Sequence, residues 1–511
     1  MSGIHFNLLD DPWIALSRLD GSQATLGIRE VLHSAHELAE ISGDPPVVAS
    51  VSRLLVAIVH RVLDGPATPA AWGDAFAAGR FDPAAVDHYL CKHAERFELF
   101  HPEQPFFQAR LPHGAFRTVA QIDPAAASGH NTTLFDHSRD DRPAPMEPGE
   151  AARRLVALQS FAAGGRMSGE AGGGVSGNAA MLSGSWVFLA DGPSLFHTLL
   201  LNTPLYDPEA GRPFPALGPD VPVWERPSPL GAAVRSPAGW LDLLTYPARR
   251  IELLAEVGSD GPVVTAAAIT DGDRAAGGWA LRGREQALAF RQTKASGWIP
   301  LRPSEGRDLW RDSTVFLATG TEESEPPRII EHVAMMVAKG HVPIDLRIGL
   351  HGLALATNQA KFLTFDHQRL PLRASLLVTD RAGELVAGAT AAAEKVAGIL
   401  QRAIAELAGR SADNRRDPDE RRRRREWGER VMAAYWSSLP VAFDHFLAAI
   451  DADTGALRSW AGALEAAARR AWTPWIRTVP SGNEGFRRIA SAERIFASAL
   501  AVPRQLREEA R

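Results

Sequence analysis

From about residue 376 to the C-terminus the apolar residues recur every three or four positions, which is the period of a buried helix face. Val386, Ala389, Ala393, Val396, Leu400, Ala403 and Leu407 make one stripe, and a second runs from Val431 to Ile450, where Pro440 predicts a bend. Further helices are expected around Ala456 to Trp472 and Phe486 to Leu506. Four antiparallel helices joined by short links is the simplest packing of such stripes. The expected fold is therefore α+β: a large mixed α/β domain with long loops over 1–375, then an all-α four-helix bundle over 376–511. At 511 residues the chain exceeds the roughly 250 to 300 at which one core stops growing, which also argues for two domains. No repeat of 20 to 50 residues is visible.

The first 375 residues are patterned differently. FNLLDDPWIAL reads as short strands around a turn at Asp10, Asp11 and Pro12. Pro45 and Pro46 open a helix in which Val47, Val51, Leu54, Leu55, Ile58, Val59 and Val62 form a stripe with Arg53 and Arg61 off it. A helical stretch around DPAAVDHYLCKHAERFELF follows, then HPEQPFFQ, whose prolines force an extended or turning chain. Structure resumes from Trp186 to Asp207, while WLDLLTYPARRIELL and DSTVFLATG suggest strands of a mixed sheet. Between them, 122–185 is rich in Gly, Ser, Asp and Pro around a short helical LVALQSF. Connections in compact domains run to about 4 to 6 residues, so a stretch this long is expected to be functional or disordered.

Composition narrows the function. A single cysteine, Cys91, excludes an internal disulfide and a thiolate zinc site, and fits a reducing cytoplasm. Neither a leader of basic then apolar residues nor an uncharged apolar run of 18 is found, so export and membrane spanning are not expected. The net charge of −5 argues against a protein that coats DNA without specificity. The charge is uneven, with 22 basic and 18 acidic residues in 376–511 against 33 and 42 in 1–375, so any nucleic-acid contact must be local.

Catalytic motifs are missing. The glycines of 164–177 include no GxxxxGK[ST] and no Rossmann unit, and there is neither HExxH nor GxSxG. His130 and His137 flank a polar loop without a third metal ligand. What remains are residues suited to binding, each with a plainer alternative. Gly172, Gly173 and Gly174 would let main chain approach a groove closely, or else form a flexible surface loop. Asn358, Gln359 and Ala360 place compact amides between two apolar stretches, either to read base edges and enter a stack or as an ordinary hairpin turn. Lys294, in RQTKASGW, reaches phosphate or bases, or sits in a solvated turn. Arg421, Arg422, Arg423, Arg424 and Arg425 point all round a helix start, either into solvent or toward phosphates or a partner.

Taken in order along the chain, FNLLDDPWIAL, HPEQPFFQ, AGGGVSG, HTLLLN, LTYPARRIEL, TNQAK and the helical C-terminal quarter resemble the CasA family, the large subunits of Cascade, the type I-E CRISPR surveillance complex. Each motif alone is unspecific; their order spans nearly the whole chain. The resemblance implies a DNA-reading subunit with no catalytic activity and no cofactor. In that family a glycine loop, a lysine finger and a glutamine wedge read the protospacer-adjacent motif (PAM) from the minor groove, and the wedge begins duplex separation. They match Gly172, Gly173 and Gly174, then Lys294, and then Asn358, Gln359 and Ala360. Lys294 is the only lysine of its region, but its spacing to Trp298 differs from the family's, and Arg291 is the alternative finger.

The long loop with Asn131 and Phe135 resembles the one that lies beside the 5′ handle of the guide RNA. Relatives with cysteine pairs suggest zinc, whereas Cys91 alone implies none here. The last helices resemble a bundle that faces the small subunits and helps hold displaced DNA, which gives Arg421 to Arg425 a role. Implied partners are the other Cascade subunits, the guide RNA, PAM-bearing double-stranded DNA and a helicase-nuclease recruited after R-loop formation, with no membrane. The alternative is a scaffold that only holds neighbouring subunits and the RNA handle.

Overall fold

The computed structural model describes residues 4–111, 116–124, 144–167, 175–226, 230–259, 261–317, 322–358, 361–409, 418–450, 455–479 and 481–509. They form two compact units, one from 1–303 with 322–369 and the other from 304–321 with 370–511.

In the first unit the opening motif turns as its sequence dictates. Leu9 N–H donates to Asn7 Oδ1 (3.0 Å) and Asn7 N–H to Asp11 Oδ2 (2.6 Å), so two side chains close the turn. Strands β1 (Ile14–Arg18), β2 (Gln23–Leu26) and β3 (Leu38–Ile41) then pair antiparallel in the order β2-β1-β3, with helix α1 (Ile28–His33) between the last two in sequence. Helix α2 (Pro45–Val62) starts on two prolines, which the first turn tolerates because its N–H groups have no helical partner. Helices α3 (Pro69–Ala77) and α4 (Pro83–Lys92) start the same way, behind Thr68 and Asp82 side chains that accept from Ala71 and Ala84 N–H.

Downstream come β4 (Arg117–Thr118), α5 (Pro148–Phe161), the paired β5 (Gly165–Met167) and β6 (Val175–Gly177), β7 (Val187–Asp191), α6 (Leu195–Leu201) and α7 (Trp240–Leu244). Strands β8 (Arg249–Val257) and β9 (Pro262–Asp271) join β4 in the order β4-β9-β8. Next are β10 (Phe290–Thr293), β11 (Gly297–Pro300), α8 (Ser313–Phe316), β12 (Ser324–Glu325) and α9 (Arg328–Ala338), with sheet order β11-β10-β12. Two long strands, β13 (Arg347–Asn358) and β14 (Lys361–Arg373), complete a third sheet in the order β14-β13-β7.

Three local features of this unit differ from expectation. First, Arg53, although it lies off the apolar stripe of α2, does not face solvent. The helix packs against α4, α5, α6, α7, β3 and β13, so it is walled nearly all round. Arg53 is 5% exposed and donates to both oxygens of Glu285 (2.8 and 3.0 Å) and to Leu243 O (3.3 Å). Although α2 is long and apolar enough to cross a membrane, it is a core helix of this unit. Second, WLDLL is a helical turn and not a strand, because the Asp220 carboxylate accepts from Leu241 N–H (3.1 Å) and Asp242 N–H (2.9 Å) and caps it from 21 residues away. Third, the strands form separate small sheets whose pairs are antiparallel, where one mixed sheet was expected.

The second unit is helical: α10 (Asp380–Leu407), α11 (Pro418–Trp436), α12 (Pro440–Ala449), α13 (Gly455–Ile476) and α14 (Asn483–Glu509). Helices α10 and α13 are its centre, with α10 against α11, α13 and α14, and α13 against α11, α12 and α14. Pro440 breaks the chain into two helices instead of bending one, since it sits in the first turn of α12 where its fixed φ favours a start. Ala389 and Ala393 leave their carbonyls accessible, and these accept from Trp460 Nε1–H and Tyr435 O–H, both at 3.0 Å. The segment 304–321 supplies Trp310, whose ring centroid lies 4.7 Å from Phe443 and 5.7 Å from Trp460. That explains why DSTVFLATG is not a strand: Ser313–Phe316 is a helical turn of this unit, with Ser313 Oγ 3.1 Å from Thr390 Oγ1.

Candidate nucleic-acid interface

Three candidate elements lie in the first unit. Thr293 and Gly297 are paired partners across the β10–β11 hairpin, so Lys294 opens its three-residue tip, and Gly297 takes the left-handed φ (+65°) that such a tight loop requires. Lys294 is exposed and has no hydrogen bond or ion pair among the described residues. Arg291 is also exposed but lies along β10, the central strand of its sheet, opposite Ile299 and Ser324. Asn358 is the last residue of β13, and β14 begins at Lys361. The glycine run falls between β5 and β6, whose arms pair from Gly165↔Gly177 to Met167↔Val175.

The two hairpins root in one apolar cluster, which the segments flanking the ribbon also reach, while the ribbon itself lies against β9 and its nearest flanks, Ala162 and Ala180, belong to a second cluster. The first cluster contains Phe161 and Leu182, which flank the β5–β6 ribbon in sequence, Phe290 of β10, and Leu353 and Leu355 of β13. Trp298 of β11 and Phe365 of β14 pack against it. Strand β7 threads through, contributing Val187 and Leu189, while Trp186 N–H donates to Leu301 O (2.9 Å) and Phe188 N–H to Ala287 O (2.8 Å). On the lysine hairpin, the Arg282 guanidinium stacks 3.8 Å above the Trp298 ring and bonds Glu325 Oε2 of β12 at 2.6 Å.

Polar groups outside the sequence candidates fix the same roots. Arg249, at the start of β8, is almost fully buried, and its Nη2 donates to Ala163 O (3.1 Å) and Asn178 O (2.5 Å), the residues just outside the two ends of the ribbon. Burial pulls its guanidinium below the usual arginine range, with Asp271 opposing the shift. Gln159 of α5 accepts from Arg249 N–H (2.9 Å) and donates to Arg249 O (3.0 Å), so the staple is itself held. The signal available was the doubled arginine in LTYPARRIEL, ahead of an apolar strand. At the base of β13–β14, His351 and His367 are in contact and Arg369 bonds Asp191 of β7.

Other candidates stand apart or lie outside the described residues. Gly172, Gly173, Gly174, Gln359, Ala360, Asn131 and Phe135 belong to the latter group, as do His130 and His137. Arg421 to Arg425 are in the second unit, in the first part of α11. Four of them are exposed; Arg424 is half-buried and donates to Gly409 O (2.6 Å). Arg422 and Arg425 lie 4.0 and 3.6 Å from Glu426 and Glu429, one turn on. No group of three or more metal-ligating side chains occurs among the described residues.

The family model for CRISPR-associated protein Cse1 matches residues 7–471. A CRISPR-associated protein CasA/Cse1 from Thermus thermophilus is 32% identical over 99% of both chains. The crystal structure of Cse1 from Acidimicrobium ferrooxidans superposes with a TM-score of 0.81 at 24% identity, covering 99% of each chain. A chain of a CRISPR RNA-guided surveillance complex gives 0.74 at 22% identity, covering 97% of this chain and 100% of that one. A match that runs through both units, over nearly the full length of each relative, leaves one assignment: the chain belongs to the CRISPR-associated Cse1 (CasA) family.

Proposed function

We propose that this chain is the non-catalytic large subunit of a type I-E Cascade, reading the PAM of double-stranded DNA from the minor groove and starting strand separation. The observation that carries this reading is the shared apolar root of the β10–β11 and β13–β14 hairpins, which the segments flanking the β5–β6 ribbon also reach. Loops that extend from one rigid core keep a fixed spacing, which a check of a few base pairs requires. Gly172, Gly173 and Gly174 bring main chain to the groove, Lys294 contacts base acceptors or phosphate, and Asn358, Gln359 and Ala360 enter the stack. Lys294, at a hairpin tip, suits the finger better than Arg291 along a central strand.

The minor groove offers a degenerate pattern, so several PAM sequences are tolerated. Unstacking takes a few kcal/mol, recovered as guide–target pairing extends. Asn131 and Phe135 sit beside the guide RNA 5′ handle, while α10, α11, α13 and α14 act as the family's four-helix bundle, whose Arg421 to Arg425 face displaced DNA or a neighbouring subunit. After the R-loop forms, a separate helicase-nuclease is recruited and does the cutting. The likeness to a chain of an RNA-guided surveillance complex supports the assembly, and the single Cys91 supports a reducing cytoplasm.

A gel-shift comparison of assembled complex with and without this chain, on targets that differ only in the PAM, tests the reading. Loss of PAM preference on omitting the chain, and on replacing Asn358, Gln359 and Ala360 together, is expected. PAM-independent binding in the intact complex would leave only a scaffold.

A further inference from the structure

Beneath the β13–β14 hairpin, polar side chains of three adjacent strands converge on one buried carboxylate. Asp191 of β7 is 5% exposed and stands directly opposite Gly349 of β13. Its Oδ2 accepts from Arg369 of β14 and lies 3.3 Å from His351 Nε2 of β13, while its Oδ1 accepts from Thr198 Oγ1 at 3.1 Å. On the far side of the same ring, His351 Nδ1 is 2.9 Å from His367 Nε2 of β14.

His351 Nε2 lies 3.3 Å from the carboxylate without making a hydrogen bond to it, and the nearby negative charge favours the tautomer with hydrogen on Nε2, in which Nδ1 accepts from His367 Nε2–H. Burial, reinforced by His351, holds the His367 imidazole below its ordinary value. Around it stand Glu40 of β3, Asp191 of β7, His351 of β13, and Asp366 and Arg369 of β14.

Two further features show that this is a built contact with room beside it. A Cβ added to Gly349 would lie 2.8 Å from Arg369 Nε and 2.9 Å from Asp191 Oδ2, so a side chain here would push the pair apart. The two imidazoles also face a cavity of about 180 Å3 lined by Glu40, Ser52, Leu189 and Thr198. Side-chain bonds therefore supplement the backbone ladders that join β7, β13 and β14 on this side of the hairpin.

We infer that Asp191, His351, His367 and Arg369 form a clasp that sets the pose of the β13–β14 hairpin and through it the rate at which the chain opens duplex DNA. This rests on the proposed role of Asn358, Gln359 and Ala360 at the end of that hairpin. The four are positioning residues and touch no base. The clasp adds side-chain ties to the backbone ladders among β14, β13 and β7, so loosening it shifts the hairpin's pose while the wedge residues stay in place.

The test uses assembled complex and a PAM-bearing target with 2-aminopurine beside the PAM, followed by stopped-flow fluorescence. Replacing His367→Leu removes the donor to His351 and is expected to slow opening roughly fivefold, the effect of one lost hydrogen bond. His367→Gln restores a donor and is expected to recover most of the rate. On a target already mismatched beside the PAM, both variants are expected to match the wild type, which damage to the fold would not allow. Asp191→Asn, the stronger lesion, is expected to slow opening at least as much as His367→Leu. Wild-type opening by His367→Leu alongside slow opening by Gln359→Ala would overturn the clasp and leave the wedge standing. Wild-type opening by both would overturn the wedge reading as well, and equal slowing of His367→Leu on the mismatched target would overturn the clasp.

Discussion

The two units solve the problem of burying side chains in opposite ways. The helical unit fills its centre with rings that bond buried alanine carbonyls, as Trp460 and Tyr435 do, and places its Arg307, Arg311 and Glu394 pairing nearer the surface, with Glu394 38% exposed. The loop-bearing unit places charges inside: Arg53 with Glu285, Arg249 over the ribbon ends, Asp191 under the hairpin. Directional bonds fix where a loop leaves the core, whereas apolar contacts alone tolerate small slides. A unit that presents loops at set spacings gains from the first kind, and a helical bundle gains little.

Breaking one internal ion pair should give the largest contrast. Arg53→Ala leaves Glu285 charged and buried and is expected to destabilise the first unit by about 3–5 kcal/mol. Arg311→Ala, which removes a cation 3.6 Å above the Trp436 ring at a wetter site, is expected to take about 1 kcal/mol from the second. Hydrogen exchange across the full chain reads the two separately; equal losses would erase the distinction.

Acid should separate the units next. Burial pushes the His60 and His332 imidazoles down to about 3, so both are neutral in the folded first unit. Their stabilising contribution is complete above the ordinary value of 6.5 and falls away as pH drops from 6.5 toward 3, by up to about 1.4 kcal/mol per pH unit for each group. The second unit has one histidine, His445, which is exposed. Exchange protection near pH 5 is expected to fall first in the unit with α2 and α9.

A smaller effect should fall on binding. Arg249→Leu withdraws two charge-assisted hydrogen bonds from the ribbon ends and is expected to weaken PAM-duplex binding by roughly tenfold with assembly intact. Unaltered binding in a gel shift would remove the ribbon from the reader. Smallest is the double change Arg422→Ala with Arg425→Ala, whose exposed pairs contribute no more than about 0.5 kcal/mol to stability. If the run faces displaced single-stranded DNA, R-loop binding should lose about 1.4 units of salt slope; an unchanged slope would assign these arginines to solvent.

Local pattern carried some features and missed others for identifiable reasons. The α10 stripe from Val386 to Leu407 and the turn at Asp10 and Asp11 are short-range and were legible. The inward face of Arg53 depends on Glu285, and the helical turn at Trp240–Leu244 depends on Asp220, partners that no window of helical length contains. The membership of 304–321 in the helical unit rests on Trp310 meeting Phe443 and Trp460, more than 130 residues on. At the site, the sequence pointed to Lys294, and the hairpin tip is where it lies. The common root of the two hairpins and the ribbon's flanking segments was beyond it, because Phe161, Phe290 and Leu353 are spread over nearly 200 residues.

On the proposed reading, loops anchored in that one cluster address the same base pairs. Photo-crosslinking groups placed singly at positions 294, 173 and 359 of the assembled complex, with a labelled PAM target, test it most directly. Adducts from all three within the same few base pairs at the PAM are the predicted result. Adducts scattered along the target, or a position that captures RNA or a neighbouring subunit instead of PAM DNA, would contradict it.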